Sequence, residues 1–386
     1  MIAGHLREKN GKYYMVLDYR DEDGNRKIKT KSTGLPIKGN KKKAEEMLRE
    51  ARANFKLPSQ KEEEKNILFT DYLLEWLEMV KLKIELSTYS SYSMVIKRRL
   101  IPYFEPKKLL LTEVTNRHIQ EYYNYCVNEE GISGNTVLRR HANLHMAFKH
   151  AVRTDLILKN PTDYVEKPKK RKYRGKIYDK DELDHLFSLV EGQRIEFAVK
   201  VASYYGLRRS EIVGLKWSAF DFKKKVFKIG HTVTQFTLDD KVVVVEKDRG
   251  KTEDSVRSLP LIQPVEDMLL RMKKEQERCQ HLCGDFYNQE YLEYIYVNEI
   301  GERVLPAYIT DHFKNSVIRK NKLKEIRFHD LRHSCASLLF QCGIPLKEIQ
   351  EWLGHSDIGT TANIYTHLSF EGKQNSANAI MDAFAK

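Results

Sequence analysis

Apolar and polar residues alternate with a period of two at the start of the chain, and the period then becomes helical. GKYYMVLDYR and RKIKTKST alternate as strands do, and the turn signal DEDGN at residues 21–25 joins them. Gly4 to Lys9 can pair as a third strand. Apolar residues then recur at helical spacing: Ala44, Met47, Leu48, Ala51 and Phe55. Residues 1–57 are therefore predicted to form an α+β domain, a three-stranded sheet covered by one helix.

Residues 67–165 carry a helical pattern throughout. Apolar residues lie three and four apart in FTDYLLEWLEMV, STYSSYSMVIKRRLIPYF, TNRHIQEYYNYCV and SGNTVLRRHANLHMAFKHAV. Residues that commonly cap helices precede or open the last three segments: Ser87 or Thr88, Thr115 or Asn116, and Ser133 through Asn135. The pattern predicts an all-α domain of roughly four helices, between linkers at residues 58–66 and 166–176.

The third predicted domain, residues 177–386, mixes the two periods. Asp179 and Glu182 have the spacing of a capping box, which predicts a helix over DELDHLFSLV. VFKIGHTVTQF, KVVVVEK and RSLPL are predicted to be strands of one small antiparallel sheet, and most of the remainder is helical. The predicted fold class is a multidomain protein, mainly α with small β-sheets: an α+β domain, an all-α domain and a second α+β domain.

The chain is basic, with 67 Lys and Arg against 54 Asp and Glu and a net charge of +13. Such a balance favours an anionic partner, either nucleic acid or an acidic membrane surface. Eight basic residues and no acid lie between Arg26 and Lys43, and seven lie between Lys167 and Lys176. Each run is typical of a solvated surface. The first, as a basic strand pair, can equally enter a DNA major groove, and the second also suits a phosphate backbone. The candidate DNA-contacting residues are Arg26, Lys27, Lys29, Lys31, Lys169, Lys170, Arg171 and Lys172.

Several other classes of protein fit poorly. No stretch reaches the roughly 18 apolar residues that span a bilayer, and the start MIAGHLREKN lacks the apolar core of a signal peptide, so we expect a cytoplasmic protein. A membrane-surface protein needs a basic amphipathic helix, whereas the basic runs fall in strands and linkers. Five cysteines suit a reducing compartment. Cys279, His281 and Cys283 lack a fourth zinc ligand, and we expect neither a metal nor a cofactor.

Six residues of the third domain together meet the needs of metal-free phosphoryl transfer: Arg208, Lys251, His329, Arg332, His355 and Tyr365. A tyrosine hydroxyl has a pKa near 10 and needs help to attack phosphorus. Two arginines can present paired donors to the phosphate oxygens. A histidine can act as general acid or base, a second can donate a hydrogen bond, and a lysine can protonate the leaving oxygen. Taken singly, each residue more often has an ordinary structural use.

Four segments resemble the successive motifs of the tyrosine recombinases, or phage integrase family: GLRRSEIVGLKW, GKTEDSVRSLPL, HDLRHSCASLLFQCGIPLKEIQEWLGHS and TTANIYTH. The resemblance implies that the six residues surround the scissile phosphate. Tyr365 would attack it to give a 3′-phosphotyrosyl bond and a free 5′ hydroxyl, without ATP. Glu211 matches the family's acidic position, which steadies the site. The Gly-Leu-Arg register assigns the first arginine role to Arg208 rather than to its neighbour Arg209.

The upstream segments resemble other parts of these enzymes. Residues 67–165 look like the core-binding domain, and residues 1–57 look like the arm-binding domain of conjugative-transposon and prophage integrases. The resemblance implies integration and excision of a mobile element through a Holliday junction, with core and arm sites on double-stranded DNA. It also implies a homotetramer on DNA, with excision-directing or host DNA-bending proteins as possible partners.

Three questions stay open from the sequence. The apolar stripe Ala377, Ile380, Met381 and Phe384 is typical of packing within its own domain and equally of docking on a neighbouring protomer. A type IB topoisomerase shares the chemistry. A catalytically silent DNA-binding regulator would share the fold.

Overall fold

The computed structural model describes residues 3–20, 25–53, 55, 67–170, 175–248, 257–354 and 381. The chain divides into two compact units, Met1–Arg171 and Lys172–Lys386. Among the described residues, no helix is both long enough and apolar enough to cross a membrane.

The first unit begins with the expected sheet and helix. The strands β1 (Ala3–Lys9), β2 (Lys12–Arg20) and β3 (Arg26–Pro36) pair antiparallel in that order, and α1 (Lys41–Ala53) follows. Residues directly opposite in such a sheet point to the same face. Met15 and Leu17 of β2 are buried on the face that α1 covers, where Ala44 of the helix is fully buried. The other face of the sheet is called the open face below.

Helices follow to the end of the described part of the first unit: α2 (Phe69–Lys81), α3 (Leu86–Val95), α4 (Ile101–Phe104), α5 (Asn116–Asn128) and α6 (Gly134–Arg153). A π-helical turn, Ile96–Leu100, joins α3 to α4, so the roughly four predicted helices are confirmed. Their core is aromatic, and Phe69 stacks on Phe148 with ring centroids 5.0 Å apart.

Two of the three predicted helix starts in this region are confirmed. Thr115 and Ser133 occupy the N-cap positions of α5 and α6, and the Ser133 side chain accepts a hydrogen bond from the Thr136 backbone N–H. The prediction of Ser87 or Thr88 for α3 was wrong. Glu85 is extended there, and its carbonyl accepts the first backbone bonds of the helix, so the helix begins before either hydroxyl.

The described part of the second unit is mostly helical. Its helices are α7 (Lys180–Val190), α8 (Glu196–Tyr205), α9 (Arg209–Val213), α10 (Gln263–Cys283), α11 (Pro306–His312), α12 (Asp330–Gln341) and α13 (Leu346–Leu353). The Asp179 and Glu182 capping box opens α7 as expected. The helix α8 lies in the core with Val199, Ala202 and Tyr205 buried, and α12 packs against it.

The described strands of this unit form two sheets rather than the single predicted one. They are β4 (Phe220–Asp221), β5 (Val226–Ile229), β6 (His231–Leu238), β7 (Lys241–Asp248) and β8 (Arg257–Pro260). One sheet has the order β4-β5-β8, and the other is the β6-β7 hairpin. Residues 226–236 were expected to be one strand, but the strand breaks at Gly230. The two halves therefore pair with different partners.

Candidate active site

Arg208 lies where α8 ends and α9 begins. Gly206 ends α8 in the left-handed region, with φ 63°, and Arg208 is the extended N-cap residue of α9. Glu211, three residues on, accepts the Arg208 backbone N–H at 2.9 Å and its Nη1 at 2.9 Å. The helix start therefore fixes the carboxylate and the guanidinium together, as in a capping box.

Gly206 is required at this turn for two reasons. Its positive φ is unfavourable for residues with a Cβ, and a Cβ there would overlap the Leu353 side chain. The Gly206 carbonyl also accepts a hydrogen bond from Arg332 Nη1 at 2.5 Å. The close approach of α8, α12 and the end of α13 thus depends on the missing side chain.

Arg332, on α12, is almost completely buried, with 1% of its surface exposed. Its Nη2 donates to the Leu353 carbonyl at 2.7 Å, which with the Gly206 bond holds the guanidinium at both ends. Burial, together with the charges of Arg208 and Arg257, lowers the pKa of Arg332 to about 9. The side chain is therefore still positively charged at neutral pH.

Arg257 is a further residue of this site, and it was not predicted from the sequence. It opens β8, directly opposite Ile229 of β5. Its Nη1 and Nη2 lie 3.3 and 3.1 Å from the two carboxylate oxygens of Glu211. The alternation in RSLPL could have indicated it, because a period of two places Arg257 on the same side of the strand as the buried Leu259.

Glu211 is fully buried between Arg208 and Arg257. Burial on its own would raise the pKa of the carboxyl. The Arg257 charge, the Arg208 backbone N–H and the Arg208 charge outweigh that effect and hold the pKa at about 2. Glu211 is therefore ionised at every pH at which DNA enzymes work.

His329 is the N-cap residue of α12, three positions before Arg332. Desolvation of its ring, together with the nearby His333 and Arg332, lowers its pKa to about 4. The rings of His329 and His333 meet edge to face, with centroids 5.4 Å apart. His329 is neutral at neutral pH, so it can accept a proton but cannot supply a positive charge.

Arg208 and Arg332 converge on the end of α13. Arg208 Nη2 donates to the Gly354 carbonyl at 3.2 Å, beside the Leu353 carbonyl that Arg332 holds. His355 is the next residue in the chain. His355 and Tyr365, together with Lys251 between β7 and β8, lie outside the described residues. Arg209 lies elsewhere, because its Nη1 donates to Thr310 of α11 at 2.6 Å.

The cluster of Arg208, Arg257, Arg332 and Glu211 carries three positive charges and one negative charge. We call it the arginine cluster. A net positive charge held in a partly buried site, with donors fixed in position, suits a phosphate anion. Among the described residues, no group of three or more His, Cys, Asp or Glu side chains could hold a metal ion.

The candidate DNA-contacting residues fall on two segments. Arg26, Lys27, Lys29 and Lys31 are exposed on β3, and Lys169 and Lys170 are exposed after α6, whereas Arg171 and Lys172 lie outside the described residues. The three β3 lysines lie opposite Tyr19, Leu17 and Met15, on the face that α1 covers. Arg26 lies on the open face and is paired with Asp18.

Comparison with known proteins decides the family. The model of the phage integrase family matches residues 176–372, about half of the chain. The chain belongs to the phage integrase family. The model of the phage integrase N-terminal SAM-like domain matches residues 68–127 of this integrase. The protein is therefore a tyrosine recombinase, an enzyme of site-specific DNA strand exchange.

One curated relative spans nearly the whole integrase. The tyrosine recombinase XerC-like protein of Caldanaerobacter subterraneus subsp. tengcongensis is 28% identical over 97% of this chain and 98% of its own.

Two solved structures share the fold. The Tn1549 transposon integrase in complex with a circular intermediate DNA is 20% identical, with a TM-score of 0.65 over 81% of this chain and 99% of that chain. A lambda integrase tetramer bound to a Holliday junction is 17% identical, with a TM-score of 0.54 over 91% of this chain and 95% of that chain. The expected fold class, a mostly helical tyrosine recombinase with small sheets, is confirmed.

Proposed function

We propose that this recombinase integrates and excises a mobile genetic element, with Tyr365 as the nucleophile. The observation that carries the proposal is the arginine cluster at Gly354, eleven residues before Tyr365 in the chain. The fixed guanidiniums of Arg208 and Arg332 are suited to bind a phosphodiester at that point. The attacking group would then come from the chain segment that follows Gly354. The similarity to a transposon integrase supports the proposal that the DNA it moves is a mobile element.

The reaction is a transesterification in which atoms and charge balance. The Tyr365 oxygen forms a bond to phosphorus, its proton passes to the neutral His329, and the bond from phosphorus to the 5′ oxygen breaks. Lys251 protonates the departing 5′ oxygen. Arg208 and Arg332 donate to the nonbridging oxygens, and His355 adds a further hydrogen bond. The 3′-phosphotyrosyl bond conserves the phosphodiester energy, so the 5′ hydroxyl of the partner strand rejoins without ATP.

We assign the DNA contacts to three domains, as the sequence predicted: arm-binding at residues 1–57, core-binding at 67–165 and catalytic at 177–386. Double-stranded DNA is the substrate, and four protomers assemble on it through a Holliday junction. The lambda integrase tetramer supports this assembly. The apolar stripe at Ala377, Ile380, Met381 and Phe384 is a candidate for the contact between protomers. Cytoplasmic localisation follows from such a substrate.

The open face of the sheet is the surface we assign to reading arm-site bases. Arg7 lies opposite Tyr14, and Ile28 and Thr30 are exposed on the same face. An exposed isoleucine and a threonine suit thymine methyl groups in a major groove, and an arginine suits guanine. The lysines Lys27, Lys29 and Lys31, directed to the helix side, suit the phosphates at the groove edge.

The proposal is tested by trapping the covalent intermediate. A duplex carrying the attachment site, nicked next to the scissile phosphate, lets the short 5′ fragment diffuse away and prevents rejoining. Wild-type protein should then form an SDS-resistant adduct, with or without EDTA, and Tyr365→Phe should form none. Tyr164→Phe, at an exposed tyrosine of the first unit, is the matched control and should behave as wild type.

An adduct that survives Tyr365→Phe contradicts the assignment of the nucleophile. No adduct from wild-type protein on a bound duplex supports the silent regulator instead. Relaxation of plasmids that lack the attachment site would support the topoisomerase.

A further inference from the structure

Glu211 creates an electrostatic problem for the site in which it lies. Its carboxylate is fully buried and bonds to the Arg208 guanidinium at 2.9 Å. A carboxylate so close cancels most of the positive charge that Arg208 would otherwise offer to a phosphate. If Glu211 were paired with Arg208 alone, the two side chains would meet the phosphate as a pair with no net charge.

Arg257 removes this cancellation. Both of its terminal nitrogens face Glu211, one to each carboxylate oxygen, at 3.3 and 3.1 Å. Its side chain is 12% exposed, whereas that of Arg208 is 34% exposed. The buried Arg257 guanidinium therefore neutralises the Glu211 carboxylate. The charge of the more exposed Arg208 is then available to a ligand.

Arg257 also lies against the backbone that leads into His355. A Cβ built on Gly354 would lie 2.6 Å from Arg257 Nη1 and 3.1 Å from its Cδ, so the arginine side chain packs directly on that residue. Gly354 has φ 67°, a conformation that glycine adopts without strain. The same Gly354 carbonyl accepts the bond from Arg208 Nη2.

We propose that Arg257 is a positioning residue for strand cleavage, which neutralises Glu211 and so leaves the charge of Arg208 available to the scissile phosphate. The proposal rests on the proposed function above. Arg257 acts through Glu211 and Arg208, not by protonating the leaving oxygen and not merely by holding β8 in place.

Three substrates separate these roles in single-turnover cleavage at saturating protein. The first is the ordinary phosphodiester. The second has a methylphosphonate at the scissile position, which lacks the negative charge that the arginines neutralise. The third has a bridging 5′ sulfur, whose leaving thiolate needs no protonation because a thiol is far more acidic than an alcohol.

On the phosphodiester, Arg257→Ala should lower the rate by about 100-fold, the lower end of the loss found when one fixed donor to a developing oxyanion is removed. On the methylphosphonate most of this loss should disappear, and on the bridging sulfur substrate it should remain. Arg257→Lys keeps the charge and should cleave faster than Arg257→Ala. Arg209→Ala, next to Arg208 but bonded to Thr310, is the control and should cleave at the wild-type rate.

A double-mutant cycle provides an independent readout. If Arg257 acts by neutralising Glu211, then Arg257→Ala should cost much less in a Glu211→Gln background, where no negative charge needs balancing. The two substitutions should therefore be strongly non-additive.

The outcomes are distinct. Relief of the Arg257→Ala defect by the bridging sulfur shows that Arg257 acts through Lys251, and equal loss on all three substrates shows a structural role; either overturns the proposal. Thermal unfolding will show whether Arg257→Ala folds. If it does not, Arg257→Lys and Arg257→Gln test the positioning role instead, because the glutamine variant should show the substrate-dependent defect and the lysine variant should not. Absence of an adduct from wild-type protein refutes the proposed function instead.

Discussion

The arginine cluster and the strand β3 are both rich in positive charge, but they hold it in opposite ways. In the cluster, Arg332 is almost completely buried and donates to two backbone carbonyls, and Glu211 fixes Arg208 and Arg257. On β3, Lys27, Lys29 and Lys31 are exposed on long, flexible side chains. One region places a few charges at fixed positions, and the other spreads charge over a surface.

The difference indicates two uses of the same charge. Fixed donors need no reorganisation when charge develops on a phosphate, so they lower the barrier of the reaction. Exposed lysines release counterions when they meet a DNA backbone, so they contribute affinity that depends on salt. Substitutions in the cluster should therefore change the rate at saturating protein, and substitutions on β3 should change binding.

Arg208→Lys should have the largest effect in this comparison. The substitution keeps the charge but loses the planar guanidinium, which donates both to Glu211 and to the Gly354 carbonyl. Cleavage should therefore fall by about 100-fold or more, with little loss of binding. Gel-shift and single-turnover cleavage measure the two quantities separately. Full activity in this variant would mean that Arg209 fills the role.

The pH dependence should be the next largest effect. Because the pKa of His329 lies at about 4, the histidine stays neutral as pH falls through 6, and protonation removes the base only near pH 4. Cleavage at subsaturating protein, which reports the free enzyme, should show no acid limb near pH 6.5, the value for an unperturbed histidine. A half-maximal rate near 6.5 would show that His329 is not the titrating base.

Stability follows the same histidine in a defined direction. Its folded pKa is lowered, so between about pH 6.5 and 4 the unfolded chain binds a proton that the folded chain does not. The contribution of neutral His329 to stability is therefore complete above pH 6.5 and is lost as the pH falls towards 4.

Replacement of Lys27, Lys29 and Lys31 by alanine should have the smallest effect on the reaction. The cleavage rate at saturating protein should not change. Binding to arm-site DNA should weaken equally for all sequences, and the slope of log affinity against log salt should become shallower by about 2 to 3, from about 0.9 per phosphate. A loss of sequence preference in this variant would instead place the lysines among the base-reading residues.

Much of this architecture followed from the sequence because local pattern determines it. The period of two predicted β1 to β3, the helical period predicted the helices of residues 67–165, and the capping box predicted the start of α7. The family motifs, rather than spacing, predicted that Arg208, Glu211 and Arg332 belong to one site. In the structure Arg208 bonds to Glu211, and the two arginines donate to the neighbouring carbonyls of Gly354 and Leu353.

What the sequence analysis missed depends on tertiary contacts. Arg257 resembles any other basic residue until β8 pairs with β5 and brings it to Glu211. The division into two sheets depends on which strand each half of residues 226–238 meets. The side of the sheet on which the β3 lysines lie depends on register, because a shift of one residue exchanges the two faces.

Whether Tyr365 forms the bond to DNA can be read from the atoms that the adduct joins. The trapped adduct is digested with protease and nuclease, and the nucleotide-bearing peptide is sequenced by mass spectrometry. We expect a nucleotide joined through its 3′ phosphate to Tyr365, with a free 5′ hydroxyl on the released strand. A nucleotide on any other residue, or one joined through its 5′ phosphate, would show that Tyr365 is not the nucleophile of this reaction.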